Sequence, residues 1–244
     1  MRWGGKKLES IVERIRAELK ENIDEKTIAN SKRFFKEEII FYGVNTALVG
    51  KIAKSYWKQI EHLPKEEIFT LCEKLYSSDY MEEAFIVNYW GEKFSSFLQE
   101  QDITIFERWI ESYINNWAKC DGFCNHALGD YFQLYPHQVT ILYQWAQSHN
   151  RWLRRGSAVS LILPARKGMF LEDVFKICDI LLLDKEDLVQ KGYGWLLKEE
   201  SRKHQEEVFN YVTTHKQHMP RTALRYAIEL MPEKLRKMAM TKEK

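Results

Sequence analysis

The sequence has few residues that interrupt helices, with 5 prolines and 11 glycines among 244 residues. Its 4 cysteines are too few for the disulfide framework of a small secreted protein. The opening stretch MRWGGKKLESIVERI lacks the apolar core of a secretion signal, and no apolar run is long enough to span a membrane. These absences favour a cytoplasmic protein with reduced thiols and no membrane contact.

The charge balance is also unremarkable, because 37 lysines and arginines face 35 aspartates and glutamates for a net charge of +2. The total therefore demands no nucleic-acid partner, and only the distribution of charge can indicate one. Hydrophobic residues make up 45% of the chain and charged residues 30%, as in an ordinary globular protein.

Apolar residues recur at helical spacing almost throughout the chain. The stretches KKLESIVERIRAELKENI, EEIFTLCEKLYSS, ITIFERWIESYI and EDVFKICDILLL all place them at positions i, i+3, i+4 and i+7. No convincing strand alternation is present, and short polar breaks separate the helical segments. The pattern predicts an all-α protein.

Four segments match one another at a step of 36 residues, beginning at Tyr80, Asn116, Trp152 and Leu188. One column of this alignment holds only small residues, namely Ala84, Cys120, Gly156 and Gly192. Units of this length form stacked helical hairpins in which small residues permit close packing. We therefore predict a HEAT-like α-solenoid, formed by residues 1–244 as a single domain, whose second helices line a concave surface.

A neighbouring column of the repeat carries the cations Lys119, Arg155 and Lys191 after Glu83. The third segment adds Arg151 and Arg154. Equivalent positions in successive repeats project in the same direction, so these side chains predict a basic concave face for a phosphate backbone. The alternative interpretation is a set of solvated charges on exposed helix faces.

Trp117 and Asp121 lie one helical turn apart and therefore on one face of a helix. Trp117 shares its column with Met81, Leu153 and Val189, which is typical of a core residue. Asp121 is the one carboxylate in a column that otherwise holds Phe85, Ser157 and Tyr193. Such departures from a repeat's own pattern are often functional. A structural salt bridge from Asp121 to Arg155 is the competing interpretation.

Three separated segments, NNWAKCDGFCNHALGDYF, NRWLRRGSAV and VQKGYGWLLKE, resemble the AlkD-like DNA alkylation repair family. The resemblance extends over roughly residues 35–231 and includes FYGVNT at 41–46. It implies a HEAT-like DNA glycosylase that removes N3- and N7-alkylated purines from double-stranded DNA. It further implies that Trp117 and Asp121 are the catalytic pair, that Arg155 contacts a phosphate and that Trp195 is the second tryptophan of the active site.

The chain departs from the family's best-known form on both sides of Trp117. A second acid usually follows this tryptophan and another tryptophan precedes it, whereas this chain has Ala118 and Asn116. Two other functions therefore stay open: a catalytically inactive protein that binds branched or distorted DNA, and a HEAT scaffold for protein interactions. We expect a monomer without cofactor, associated with the nucleoid when it is bound to DNA.

Metal binding is not expected. Cys120, Cys124 and His126 have a spacing that matches no common zinc arrangement, and the sequence offers no evident fourth ligand.

Overall fold

The computed structural model describes residues 5–31, 35 and 38–241. In this part of the chain the regular structure is helical without any strand, apart from one isolated parallel bridge between Ile40 and Tyr80. The prediction of an all-α protein is confirmed. Within the described residues, no helix is long and apolar enough to cross a membrane.

Contacts group the chain into two compact units. Unit 1 comprises the described residues up to Gln99 together with Ser112–Phe123. Its helices are α1 (Gly5–Glu21), α2 (Glu25–Ser31), α3 (Thr46–Ile60), α4 (Lys65–Tyr76), α5 (Met81–Gly91), the end of α6 (Ile103–Tyr113) and α7 (Trp117–Phe123). The single-domain organisation of residues 1–244 stays a prediction.

Unit 2 comprises Glu100–Glu111, which includes most of α6, and the described residues from Cys124 onward. The second of these two segments begins with a π-helical turn at Cys124–Leu128, a rare element that is often found at functional sites. Its further helices are α8 (Gly129–Leu134), α9 (Ile141–Trp145), α10 (Arg151–Val159), α11 (Ile162–Arg166), α12 (Leu171–Leu181), α13 (Asp187–Glu200), α14 (Gln205–His215), α15 (Arg221–Ala227) and α16 (Glu233–Met240).

Helical hairpins repeat within each unit. In unit 1, α4 packs against α5, and α5 also packs against α3 and α7. In unit 2, α9 pairs with α10 and α12 with α13, while α13 packs against both α10 and α15. Each unit thus has a row of three second helices, as expected for a helical repeat. The predicted concave basic face stays a prediction.

The small-residue column of the repeat is buried, as the packing argument requires. A β-carbon on Gly156 would lie 3.2 Å from the sulfur of Cys124, whereas one on Gly192 would meet only ordinary contacts at 3.4 Å. At Gly194, also on α13, a β-carbon would lie 2.8 Å from the carbonyl oxygen of Ala223. The tight packing of α13 on α15 therefore depends on a glycine outside the column.

Candidate DNA-binding and active site

The predicted catalytic pair lies on α7, with Trp117 as its first residue and Asp121 one turn later. The side-chain oxygen of Asn116 accepts hydrogen bonds from the backbone N–H groups of Ala118 and Lys119, at 3.1 Å each. This capping interaction fixes where the helix begins. Trp117 and Asp121 are both half-buried. Asn116 therefore fixes the start of the helix that carries both residues.

The column of Trp117 in the repeat suggested a core residue. Trp117 instead is half-buried and lines a cavity of about 340 Å³ in unit 1. Its ring stacks on Phe35, with 5.4 Å between ring centroids and 19° between ring planes. The other walls are mostly apolar or uncharged polar side chains, among them Phe41, Phe85, Asn30 and Asn45, and one carboxylate, Glu82, also lines the cavity. A planar or apolar group could enter this cavity and contact the indole directly.

One wall of this cavity is the FYGVNT segment, which a buried carboxylate holds in place. Glu82 accepts hydrogen bonds from the backbone N–H groups of Tyr42, Gly43 and Val44 at 2.8–3.0 Å. Gly43 has a φ of +97°, and a β-carbon there would lie 2.3 Å from the Ile28 side chain. The glycine and the carboxylate together fix this stretch against the start of α5, so the cavity is pre-formed.

The first cation of the predicted column, Lys119, lies inside unit 1 and is only 1% exposed. Its ammonium group donates to the Asp79 carboxylate at 2.5 Å and to the Asp79 carbonyl at 3.0 Å. Asp79 has a φ of +64° and also accepts a hydrogen bond from the Asn115 amide at 2.7 Å. Lys119 thus stabilises the left-handed turn that precedes α5, and its ammonium does not face solvent.

The two adjacent arginines of α10 hold neighbouring segments of unit 2. Arg155 is 5% exposed and donates from Nη1 to the carbonyl of Leu188 at the start of α13. Arg154 donates from Nε to the Asp184 carboxylate at 2.6 Å and from Nη1 to the carbonyls of Ser148 and His149. Both guanidinium groups therefore position α10 relative to the loops around it.

Arg151 and Lys191 are the more accessible of the predicted cations, with side chains 36% and 34% exposed. The Arg151 guanidinium lies 4.6 Å from the ring centroid of Trp152 and 3.5 Å from the Glu186 carboxylate. Lys191 pairs with Asp187 at 2.6 Å, one turn earlier on α13. Exposed ion pairs of this kind contribute little to stability, so both cations can exchange their partners for phosphate.

Trp195 is half-buried on α13 and donates from its indole nitrogen to Glu199 at 3.3 Å. Glu199 also accepts hydrogen bonds from Arg166 at 2.7 Å and from Arg202 at 2.6 Å. Burial by itself raises the pKa of Glu199, but the two arginines outweigh it and hold the pKa below its usual value. A carboxylate that stays ionised between two guanidinium groups thus fixes the orientation of the indole.

The described residues contain no cluster of three or more histidine, cysteine, aspartate or glutamate side chains that could hold a metal ion. Cys120 and Cys124 are fully buried, and His126 is half-buried.

Comparison with known families decides the broader class. Residues 15–231 match the model of a family described as DNA alkylation repair enzyme, which covers most of the chain. The chain belongs to this DNA alkylation repair family. Membership implies DNA as the partner. No curated protein is significantly similar to the chain.

Solved structures agree with the fold of this family. A structure described as a predicted DNA alkylation repair enzyme from Enterococcus faecalis superposes with a TM-score of 0.77 at 16% identity, covering 87% of this chain and 98% of its own. The structure of smu.31 from Streptococcus mutans UA159 has a TM-score of 0.57 at 21% identity, and the match covers 77% of this chain and 99% of that one. The structure of AlkD2 from Streptococcus mutans has a TM-score of 0.56 at 20% identity, and the match covers 84% of this chain and 97% of that one. At these identities the likeness concerns the fold alone.

The sequence indicated the family but missed several residues that shape the site. Phe35 belongs to no repeat column, and its stacking on Trp117 brings together residues far apart in the chain. Glu82 looked like an ordinary first-turn acid of α5. The N–H groups from which Glu82 accepts hydrogen bonds belong to Tyr42, Gly43 and Val44 and not to the start of α5, so its position in the sequence carried no signal of this role.

Proposed function

We propose that the protein is a monofunctional DNA glycosylase that hydrolyses the N-glycosidic bond of N3- or N7-alkylated purines in double-stranded DNA. The observation that carries this proposal is the placement of Trp117. Its indole lines an aromatic cavity of about 340 Å³, and Asp121 follows one turn later on the same helix. Family membership supplies the DNA partner, and the pair supplies an aromatic surface beside a carboxylate.

The chemistry suits such a pair. An N3- or N7-alkylpurine is already cationic, so it departs as a neutral base when its bond to C1′ breaks. Positive charge then develops on the deoxyribose, where a fixed carboxylate and an aromatic face stabilise it. In the proposal Asp121 supplies the charge and orients the water that attacks C1′. The attacking water forms the new C1′–O bond and releases one proton to solvent, and the products are the neutral free base and an abasic site.

The two tryptophans have related roles in the proposal. Trp117 contacts the sugar of the alkylated nucleotide, and the stacked ring of Phe35 fixes its orientation. Trp195 is assigned the second aromatic contact by the resemblance, and its hydrogen bond to Glu199 holds the indole in one orientation. Neither ring needs to move or ionise during the reaction.

We assign the phosphate contacts to some of the predicted cations and not to others. Arg151 and Lys191 can reach a phosphate from their accessible positions. Arg155, to which the resemblance assigns a phosphate, must first exchange the Leu188 carbonyl for phosphate oxygens. Lys119 and Arg154 are engaged with Asp79 and Asp184, so we assign both a positioning role.

Single-turnover excision of 7-methylguanine from a duplex tests the proposal. Asp121→Asn removes the charge but retains the size of the side chain, and it should reduce excision by at least about 100-fold with DNA affinity nearly unchanged. The matched control is Glu66→Gln, because this carboxylate is exposed on α4 of the same unit, away from the cavity. It should leave the rate unchanged. Equal rates in wild type and Asp121→Asn would refute the assignment.

A further inference from the structure

A second cavity, of about 370 Å³, lies between α3 and α5 in unit 1, outside the site described above. Its lining combines aromatic rings, from Trp57 and Tyr89, with the lysines Lys51, Lys54 and Lys93. We call it the lysine groove. Cations around an aromatic surface are the combination that proteins use to bind nucleotides of single strands.

The lysines of this groove differ from the cations that the repeat predicted. Lys51, Lys54 and Lys93 are all exposed, and within the described part of the chain none of their ammonium groups has an ion pair. Every cation of the predicted column, by contrast, has a partner inside its own unit. One acid, Glu92, also lines the groove, which leaves it a net charge of +2. An anionic ligand would therefore displace no partner that belongs to the described residues.

The aromatic surface of the groove is rigid. Trp57 packs on Phe97 with 19° between ring planes, and on Trp90, whose indole nitrogen donates to the Ala53 carbonyl at 2.9 Å. Tyr89 lies across Gly50, where a β-carbon would be 2.9 Å from the phenol ring. Rings that are held in this way lose little conformational freedom when a base stacks on them.

We propose that the lysine groove binds an unpaired nucleotide of a DNA strand, with the base against Tyr89 and Trp57 and the adjacent phosphates on the three lysines. The inference rests on DNA as the partner, as the proposed function does, but it does not require base excision. Because α5 packs against both α3 and α7, the groove is close to the helix that carries Trp117. Packed helices such as α5 and α7 lie about 9 Å apart, and a DNA strand spans that distance with about three nucleotides at about 3.4 Å each. The groove would thus hold a frayed or displaced strand close to the lesion.

Fluorescence anisotropy with a labelled ten-nucleotide single strand, and with a duplex that carries this strand as an overhang, tests the proposal. Replacing Lys51, Lys54 and Lys93 together by glutamine should weaken binding of both probes by at least tenfold. The slope of log affinity against log salt should become shallower by about 2, since each single-strand phosphate contact contributes about 0.7. Lys54→Gln and Lys58→Gln form a matched pair, because both lysines are exposed on α3 and only Lys54 lines the groove. Only Lys54→Gln should weaken binding.

The aromatic part of the proposal has its own test. Tyr89→Ala should weaken binding of the single strand about tenfold or more, whereas Tyr89→Phe should retain it, because stacking needs the ring and not the hydroxyl. Equal affinity of wild type, the triple lysine variant and Tyr89→Ala for the single strand would overturn the proposal. So would tight binding of polyglutamate that depends on the lysines but not on Tyr89, since that result indicates an acidic protein partner.

The excision assay separates this inference from the proposed function. If wild type releases no base but binds the single strand through these lysines, the groove stands and the glycosylase proposal fails. If Asp121→Asn abolishes excision while the triple lysine variant binds the overhang like wild type, the glycosylase proposal stands and the groove fails.

Discussion

Replacing Glu200 by glutamine is expected to stabilise the protein at alkaline pH and not at acidic pH. Glu200 is fully buried near the end of α13, and neither carboxylate oxygen has a hydrogen-bond partner among the described residues. The Nε2 atom of His204 lies 3.6 Å from Oε1 of this carboxylate, beyond hydrogen-bonding distance. Burial, followed by repulsion from Glu207, raises the pKa of Glu200 from 4.5 to about 7.

The size and direction of the effect follow from this pKa. A carboxyl group with a raised pKa in the folded state favours folding below its unfolded pKa, where it is protonated in both states. That advantage is lost as the pH rises toward 7, because the unfolded state ionises while the folded state must either stay protonated or bury a charge. At about 1.36 kcal/mol per pH unit, the loss above pH 7 amounts to roughly 3 kcal/mol. Glutamine, which does not ionise, avoids it.

Thermal unfolding followed by circular dichroism at pH 5 and pH 8 measures the difference. We expect Glu200→Gln to raise Tm at pH 8 by up to about 6–12 °C, since 1 kcal/mol corresponds to about 2–4 °C in a chain of this size. At pH 5 the gain should be small. Glu207→Gln serves as the control, because its half-exposed carboxylate should give a much smaller gain. An equal Tm gain at both pH values, or a loss at pH 8, would refute the reasoning.

Three further predictions concern positions that the structure explains. Lys119→Met should cost about 1–3 kcal/mol of unfolding free energy, because it removes the hydrogen bonds to Asp79, and it should leave the salt dependence of DNA binding unchanged; a shallower salt slope would instead assign Lys119 a phosphate. Gly194→Ala should lower the free energy of unfolding by about 1–2 kcal/mol, measured by denaturant unfolding, because the added methyl group meets the backbone of Ala223. Gly192→Ala should leave it unchanged or raise it by up to about 1 kcal/mol through helix propensity. A larger loss for Gly192→Ala than for Gly194→Ala would contradict the packing of α13 on α15. Glu82→Gln should lower the free energy of unfolding by about 1–3 kcal/mol and speed amide hydrogen exchange at residues 42–44, because it weakens the hydrogen bonds that hold this segment. Unchanged exchange at these residues would contradict that role.

The repeat and its register could be predicted from the sequence because equivalent positions occupy equivalent places in the fold. Asp79 and Asn115, 36 residues apart, are joined by a hydrogen bond. The periodicity also predicted that the small-residue column would be buried. These features depend on local spacing, which the chain encodes directly.

The accessibility of charges could not be predicted in the same way. Lys119 and Lys191 occupy the same column, yet one is buried against Asp79 and the other is accessible. A lysine becomes buried when a partner from elsewhere in the chain neutralises it, and periodicity does not reveal that partner. The lysine groove escaped prediction for a related reason. Lys93 follows the end of α5 and joins Lys51 and Lys54 only because α5 packs against α3, so no single segment of the sequence shows the three lysines together.

The most direct test of the central claim is whether the wild-type protein releases free 7-methylguanine from methylated duplex DNA, identified by mass spectrometry. If the protein is a glycosylase, the free base and abasic sites accumulate in equal amounts, and unmethylated DNA releases none. Tight binding of the same duplex without any release of base would contradict the glycosylase proposal and favour a protein that binds DNA without excising bases.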